Sequence, residues 1–133
     1  MANKKILIVD DDPDLRQAMH IRLKANHYDT FFAADALSAV SEARKHQPDL
    51  IILDLGLPAG DGFVVLDRLR ANTYLSVIPI IVVSARDAHA NQARALNAGA
   101  RAFLQKPVDN AELMAVIHQA LGEPTQPEMP VVL

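Results

Sequence analysis

The chain has 133 residues, a formal net charge of −3, 50% hydrophobic and 22% charged residues, and no cysteine. This is the size and balance of one globular domain, and it excludes disulfides, thiolate metal sites and a basic field for nucleic acid. The opening run MANKKILIVDDD is too short in apolar residues to span a membrane and ends in acids unlike a signal peptide, so a soluble cytoplasmic protein is expected.

Ile6-Leu7-Ile8-Val9 is a continuous apolar run rich in β-branched residues and reads as a strand buried on both faces. Leu15, Ala18, Met19 and Leu23 supply a first helix behind Pro13, which suits a first helical position, with Asp12 before it as a cap. Tyr28 to Ala33 is a weaker strand. Ala36, Ala39, Val40 and Ala43 recur at helical spacing behind Asp35, a candidate N-cap. Leu50-Ile51-Ile52-Leu53 repeats the buried-strand pattern, and Val65, Leu66 and Leu69 mark a third helix. Ile80-Ile81-Val82-Val83 is the next strong strand. An alanine-rich helix over roughly Ala88 to Ala98 follows, with Ala93 and Leu96 as its core contacts and Gly99 at its end. Arg101 to Gln105 is the second weak strand. Leu113, Val116, Ile117, Ala120 and Leu121 form the clearest stripe, with Asp109 and Glu112 spaced as in a capping box and Gly122 as the stop.

Five strands alternating with five helices predict an α/β fold with helices on both faces of a parallel sheet. The domain is expected to span 1–122. Residues 123–133 hold three prolines and no helical period, and read as a tail or the start of a linker. His20, His27, His46, His89 and His118 lack ligand spacing, and surface positions are expected for them.

The acids are placed more tellingly than the histidines. Asp10, Asp11 and Asp12 follow the first strand and Asp54 follows the third, and in open parallel sheets ligands bind outside the carboxyl ends of the strands. Converging carboxylates repel, and magnesium, which takes oxygen ligands, relieves that repulsion. Ser84 ends the fourth strand and Lys106 the fifth. A hydroxyl and an ammonium beside a metal-bound aspartate are able to grip phosphoryl oxygens. Each residue alone has a plainer use: an acid caps a turn, Ser84 caps a helix, Lys106-Pro107 is a loop. The joint pattern, one polar group per strand end, outweighs these.

With VDDDP at Val9–Pro13, LDLGLPAGDG at Leu53–Gly62, VVSAR at Val82–Arg86 and AGARAFLQKP at Ala98–Pro107, the chain resembles the receiver domains of two-component response regulators from about Lys4 to Leu121. Asp54, Ser84 and Lys106 stand at intervals of 30 and 22 residues, as in that family. The resemblance implies a flavodoxin-like doubly wound sheet in the order 2-1-3-4-5. It implies that Asp54 is the phosphoacceptor. Magnesium would be held by Asp11, Asp54 and the backbone carbonyl of Gly56, with Asp10 acting through water. Lys106 would hold a phosphoryl oxygen, and the Lys106–Pro107 peptide would be cis. Ser84 and Phe103 would be the switch pair, turning the face of the fourth helix, fifth strand and fifth helix. The implied donor is a histidine kinase or histidine phosphotransfer protein, and the implied output is a downstream protein target or a fused output domain. Such a domain is a phosphoacceptor that promotes its own phosphorylation and dephosphorylation, not an enzyme for an outside substrate.

Four positions depart from the commoner pattern. Ser84 stands where threonine is frequent, and Phe103 where tyrosine is. Gly56 brings no side chain to the acceptor, and Arg86 is placed to hang over the site. Two other readings compete. A receiver-like docking module that works without phosphorylation is disfavoured by the intact set Asp10, Asp11, Asp54, Ser84 and Lys106. A phosphatase with a nucleophilic aspartate needs a second acid two residues on, where Gly56 stands.

Overall fold

The computed structural model describes residues 2–58 and 61–124. Within them strands and helices alternate as β1 (Lys5–Val9), α1 (Pro13–Ala25), β2 (Asp29–Ala33), α2 (Ala36–His46), β3 (Leu50–Leu53), α3 (Gly62–Ala71), β4 (Ile80–Ser84), α4 (Ala88–Asn97), β5 (Ala102–Gln105) and α5 (Asn110–Leu121). The strands form one parallel sheet ordered β2-β1-β3-β4-β5, the doubly wound flavodoxin-like arrangement.

Side chains alternate across each strand. Leu7, Val9, Ile51, Leu53, Ile80 and Val82 enter a core closed by α2, α3 and Ala95 of α4. Ile6, Ile8, Leu50, Ile52, Ile81 and Val83 enter a second core closed by α1 and α5. With both faces covered, the three central strands need no polar side chains, which is why they read as unbroken apolar runs. β2 and β5 are the sheet edges and are only partly buried, so their sequences are weaker signals.

Every helix begins on an aspartate. Asp12, Asp35, Asp61, Asp87 and Asp109 each accept a backbone N–H from the first turn of the helix that follows, satisfying donors that have no partner within the helix. Asp87 therefore caps α4, not Ser84. The Asp109 carboxylate takes the Glu112 N–H at 3.1 Å. The end of α1 is closed by His27 in the left-handed region (φ 69°), with N–H donation from His27 to Lys24 and from Tyr28 to Leu23. This turn removes Tyr28 from the strand predicted for it and buries its ring beneath the sheet.

Two expectations need correcting. The core contact of α4 is Ala95, fully buried; Ala93 is exposed and Leu96 is 41% exposed. The helix is rotated so that Asn91, Ala95 and Ala98 face inward, and a single methyl is its deepest anchor. Only His27 and His89 are fully at the surface. His46 stacks on Phe31 with ring centroids 3.9 Å apart and pairs with Glu42, while His20 shares a 2.6 Å hydrogen bond with Thr30 Oγ1. The proposed tail lies outside the described residues beyond Pro124. Glu123, the first residue past Gly122, is tied back: its carboxylate accepts the Tyr28 hydroxyl at 2.6 Å.

Candidate functional site

β1 and β3 are hydrogen-bonded neighbours with Val9 opposite Leu53. The ladder runs one residue further, because the Asp54 N–H donates to Val9 at 2.9 Å and the Asp10 N–H donates to Ala33 at 3.0 Å. Both carboxylates therefore leave the sheet side by side, at the switch point where α1 and α3 depart to opposite faces. Asp10 is 3% exposed and Asp54 7%, while Asp11 stands in solvent. One carboxylate oxygen from each of the three lies within 4.8 Å of the others.

Lys106 reaches this cluster from the opposite side of β3. Its N–H donates to the Ser84 carbonyl at 2.8 Å, extending the β4–β5 ladder, and the Lys106–Pro107 peptide is cis. The ammonium donates to Asp10 Oδ2 at 2.8 Å and lies 3.4 Å from Asp54 Oδ2. Burial works against its charge, but the Asp10 hydrogen bond and the attraction of Asp10 and Asp54 outweigh burial and hold the ammonium above the ordinary lysine range. The remaining Asp10 oxygen accepts the Asp12 N–H at 2.9 Å, and Asp54 Oδ1 accepts the Gly56 N–H at 3.1 Å.

Three carboxylates face one ammonium, so the cluster carries two uncompensated negative charges. An all-oxygen donor set of that charge suits a hard divalent cation. The fit is to magnesium or a similar ion rather than to a soft metal.

Ser84 is fully buried at the end of β4, and its hydroxyl accepts the Arg86 N–H at 3.1 Å. Phe103 is half-buried on β5 opposite Val82, against the core on the α4 side. Gly56 lies close to the cluster: a Cβ there would be 3.8 Å from both Asp54 oxygens. Gly62 is packed harder still, since a Cβ would fall 2.6 Å from the Asp54 carbonyl oxygen and 2.5 Å from Leu55 Cα. Only glycine lets α3 start so near the Asp54 backbone.

Three contacts escaped sequence reasoning, although Arg86 itself is expected over the site. Arg16 donates to the Asp10 carbonyl at 2.7 Å, and Arg86 pairs with Asp61 at 3.1 Å. Gln105 takes the Ala88 N–H and donates to the carbonyls of Ala85 and Arg86, clamping the β4–α4 loop to the sheet. The Arg86 and Gln105 contacts join segments 17 to 25 residues apart and the Arg16 contact spans six, and none of these is a capping or turn pattern that the sequence displays.

The family model for the response regulator receiver domain matches residues 6–118. The chain belongs to the response regulator receiver family. This receiver is 36% identical over 130 residues to the transcriptional regulatory protein KdpE of Mycobacterium tuberculosis, covering 96% of this chain and 56% of that one. It is 40% identical over 116 residues to the KDP operon transcriptional regulatory protein KdpE of Escherichia coli, covering 87% and 50%. The receiver thus spans about half the length of these curated relatives. Among solved structures it is similar to the receiver domain of the sensor histidine kinase PA1611 of Pseudomonas aeruginosa, which has a magnesium ion coordinated in its active site cleft (TM-score 0.83, 30% identity, 92% of this chain and 100% of that one). It is also similar to a CheY-like receiver domain protein of Methanospirillum hungatei (TM-score 0.84, 28% identity, 90% and 94%). No helix among the described residues is long and apolar enough to cross a membrane.

Proposed function

We propose that this receiver takes a phosphoryl group on Asp54 in a magnesium-dependent reaction and reports it through the face of α4, β5 and α5. The observation that carries this reading is the meeting of Asp10, Asp11, Asp54 and Lys106 at one point beyond the carboxyl ends of the strands. Asp11 and Asp54, with the Gly56 carbonyl, would hold the ion, and Asp10, whose oxygens accept the Asp12 N–H and the Lys106 ammonium, would act through water as the family resemblance implies. The ion supplies positive charge that offsets the carboxylates and the equatorial phosphoryl oxygens.

The chain's own residues do the rest. An Asp54 oxygen attacks phosphorus in line as the bond to the donor nitrogen of a phosphohistidine breaks. The electron pair returns to the imidazole, which leaves as the donor protein's histidine. The Lys106 ammonium moves to a phosphoryl oxygen, and the Ser84 hydroxyl turns to donate to another. Phe103 then packs inward into the space Ser84 leaves, shifting a face whose helix α4 buries only Ala95. A 580 Å³ groove between α1 and α5, lined by Leu15, Met19, Pro107 and Leu113 and reaching Lys106, supports docking of the histidine-bearing donor beside the site. The donor would be a histidine kinase or phosphotransfer protein, and the output a protein target or a fused domain in the cytoplasm.

Incubation with acetyl phosphate and magnesium should add one phosphoryl mass, and peptide mapping should place it on Asp54. An Asp54→Asn variant should take up none; labelling of that variant at another residue would refute the assignment.

A further inference from the structure

Arg86 Nη1 lies 3.1 and 3.3 Å from the two oxygens of Asp61, the one acid within salt-bridge range of it among the described residues. Both side chains are more than a third exposed, so the pair is screened by solvent and readily exchanged. Asp61 already serves α3 as N-cap through the Phe63 N–H and does not need the guanidinium for that. Asp61 lies beside the Asp54 backbone, since it precedes Gly62, where a Cβ would fall 2.6 Å from the Asp54 carbonyl oxygen, and Arg86 follows Ser84 by two residues, its N–H bonded to the Ser84 hydroxyl. The neighbouring flank is open, since Gly56 puts no side chain beside the Asp54 carboxylate.

The Arg86 backbone is held in place. Its N–H donates to Ser84 Oγ, and Gln105 donates to its carbonyl and to that of Ala85. Only the long side chain is free to swing. A guanidinium fork matches phosphate geometry, and an aspartyl phosphate offers more negative charge and more acceptor oxygens than one carboxylate. The Ser84 turn also withdraws the acceptor of the Arg86 N–H, so the same event loosens Arg86.

We propose that Arg86 exchanges partners. Asp61 holds it while Asp54 is unmodified, and a phosphoryl oxygen takes it once Asp54 is modified, so that Asp61 acts as a brake on activation. The inference rests on the phosphoacceptor reading of Asp54.

The test is beryllofluoride binding at saturating magnesium, read by ¹⁹F NMR, in Asp61→Asn, Arg86→Met and the double variant. Asparagine keeps the capping oxygen and removes the charge. Asp61→Asn should lower the half-saturating concentration about 2–5-fold, the range of exposed ion pairs. Arg86→Met should raise it about tenfold through loss of a charged hydrogen bond. The double variant should behave as Arg86→Met alone. Breaking one ion pair from its two ends thus gives opposite signs, which a structural pair does not. Equal signs, no change, or an additive double variant overturn the exchange while leaving Asp54 as acceptor. A wild type that binds no beryllofluoride overturns both readings. Urea unfolding of each variant checks that the fold is kept.

Discussion

Replacing Lys106 with methionine asks whether its ammonium is what makes the carboxylate cluster tolerable without metal. Methionine keeps the apolar stem and removes the charge. The ammonium lies 2.8 Å from Asp10 Oδ2 and 3.4 Å from Asp54 Oδ2. At an effective dielectric constant of about 20 these distances correspond to gross attractions of about 6 and about 5 kcal/mol. Desolvation offsets most of that, since the lysine side chain keeps only 20% exposure and the Asp10 side chain 4%. Removing one partner of a buried pair costs about 3–5 kcal/mol because the other charge is left behind. The partial exposure of Lys106 lowers this to about 2–4 kcal/mol here, equivalent to a fall in Tm of roughly 6–16 °C for a chain of this length. Urea and thermal unfolding followed by circular dichroism, in EDTA and across magnesium concentrations, give the assay. The variant should be the less stable protein in EDTA, and magnesium should stabilise it more than the wild type, because the ion takes over the missing compensation. The folded-state shift of Lys106 is upward, so its contribution is fully present below the unfolded value near 10.5 and is lost as pH rises through the folded value. A variant as stable as the wild type in EDTA, or one that magnesium does not move, would refute the electrostatic argument.

Three further outcomes follow from the same geometry. Asp54→Asn, which removes one of three clustered charges, should stabilise the metal-free protein by about 1–2 kcal/mol and weaken magnesium binding in a calorimetric titration; a destabilised variant would contradict this. Gly62→Ala drives a Cβ into the Asp54 carbonyl and Leu55, and should lower unfolding stability by about 1–3 kcal/mol, while the same change at Gly56 meets only ordinary contacts. Equal stabilities for the two would show that α3 does not need its close start. Burial first, then the Glu123 carboxylate, hold the Tyr28 phenol well above its ordinary value of 10.0. Its contribution is therefore whole below pH 10 and is lost as pH rises further. In a Tyr74→Phe variant, absorbance at 295 nm should rise only together with loss of the circular dichroism signal; phenolate formation in the folded protein near pH 10 would contradict the burial argument.

The central strands and the acids at their ends were legible because parallel strands covered on both faces leave a strong one-dimensional trace. Ile6–Val9 and Ile80–Val83 could hardly be anything else. Asp35 and Asp109 were readable as caps because capping is local. Asp61 and Asp87 are caps of the same kind, but each sits among loop residues, where nothing nearby marks it. The stripe assigned to α4 was misplaced for a related reason. In an alanine-rich helix every face looks alike, and only packing against the sheet selects Ala95 over Ala93 and Leu96.

Local chemistry by itself thus determined which segments become strand or helix and which polar residues end the strands, since periodicity and capping act within a few residues. Tertiary structure alone decided which of those polar groups touch. The 3.4 Å approach of Lys106 to Asp54, the Gln105 clamp and the Arg86–Asp61 pair all join chain segments brought together by strand order, and sidedness of that kind has no signature until the sheet has closed.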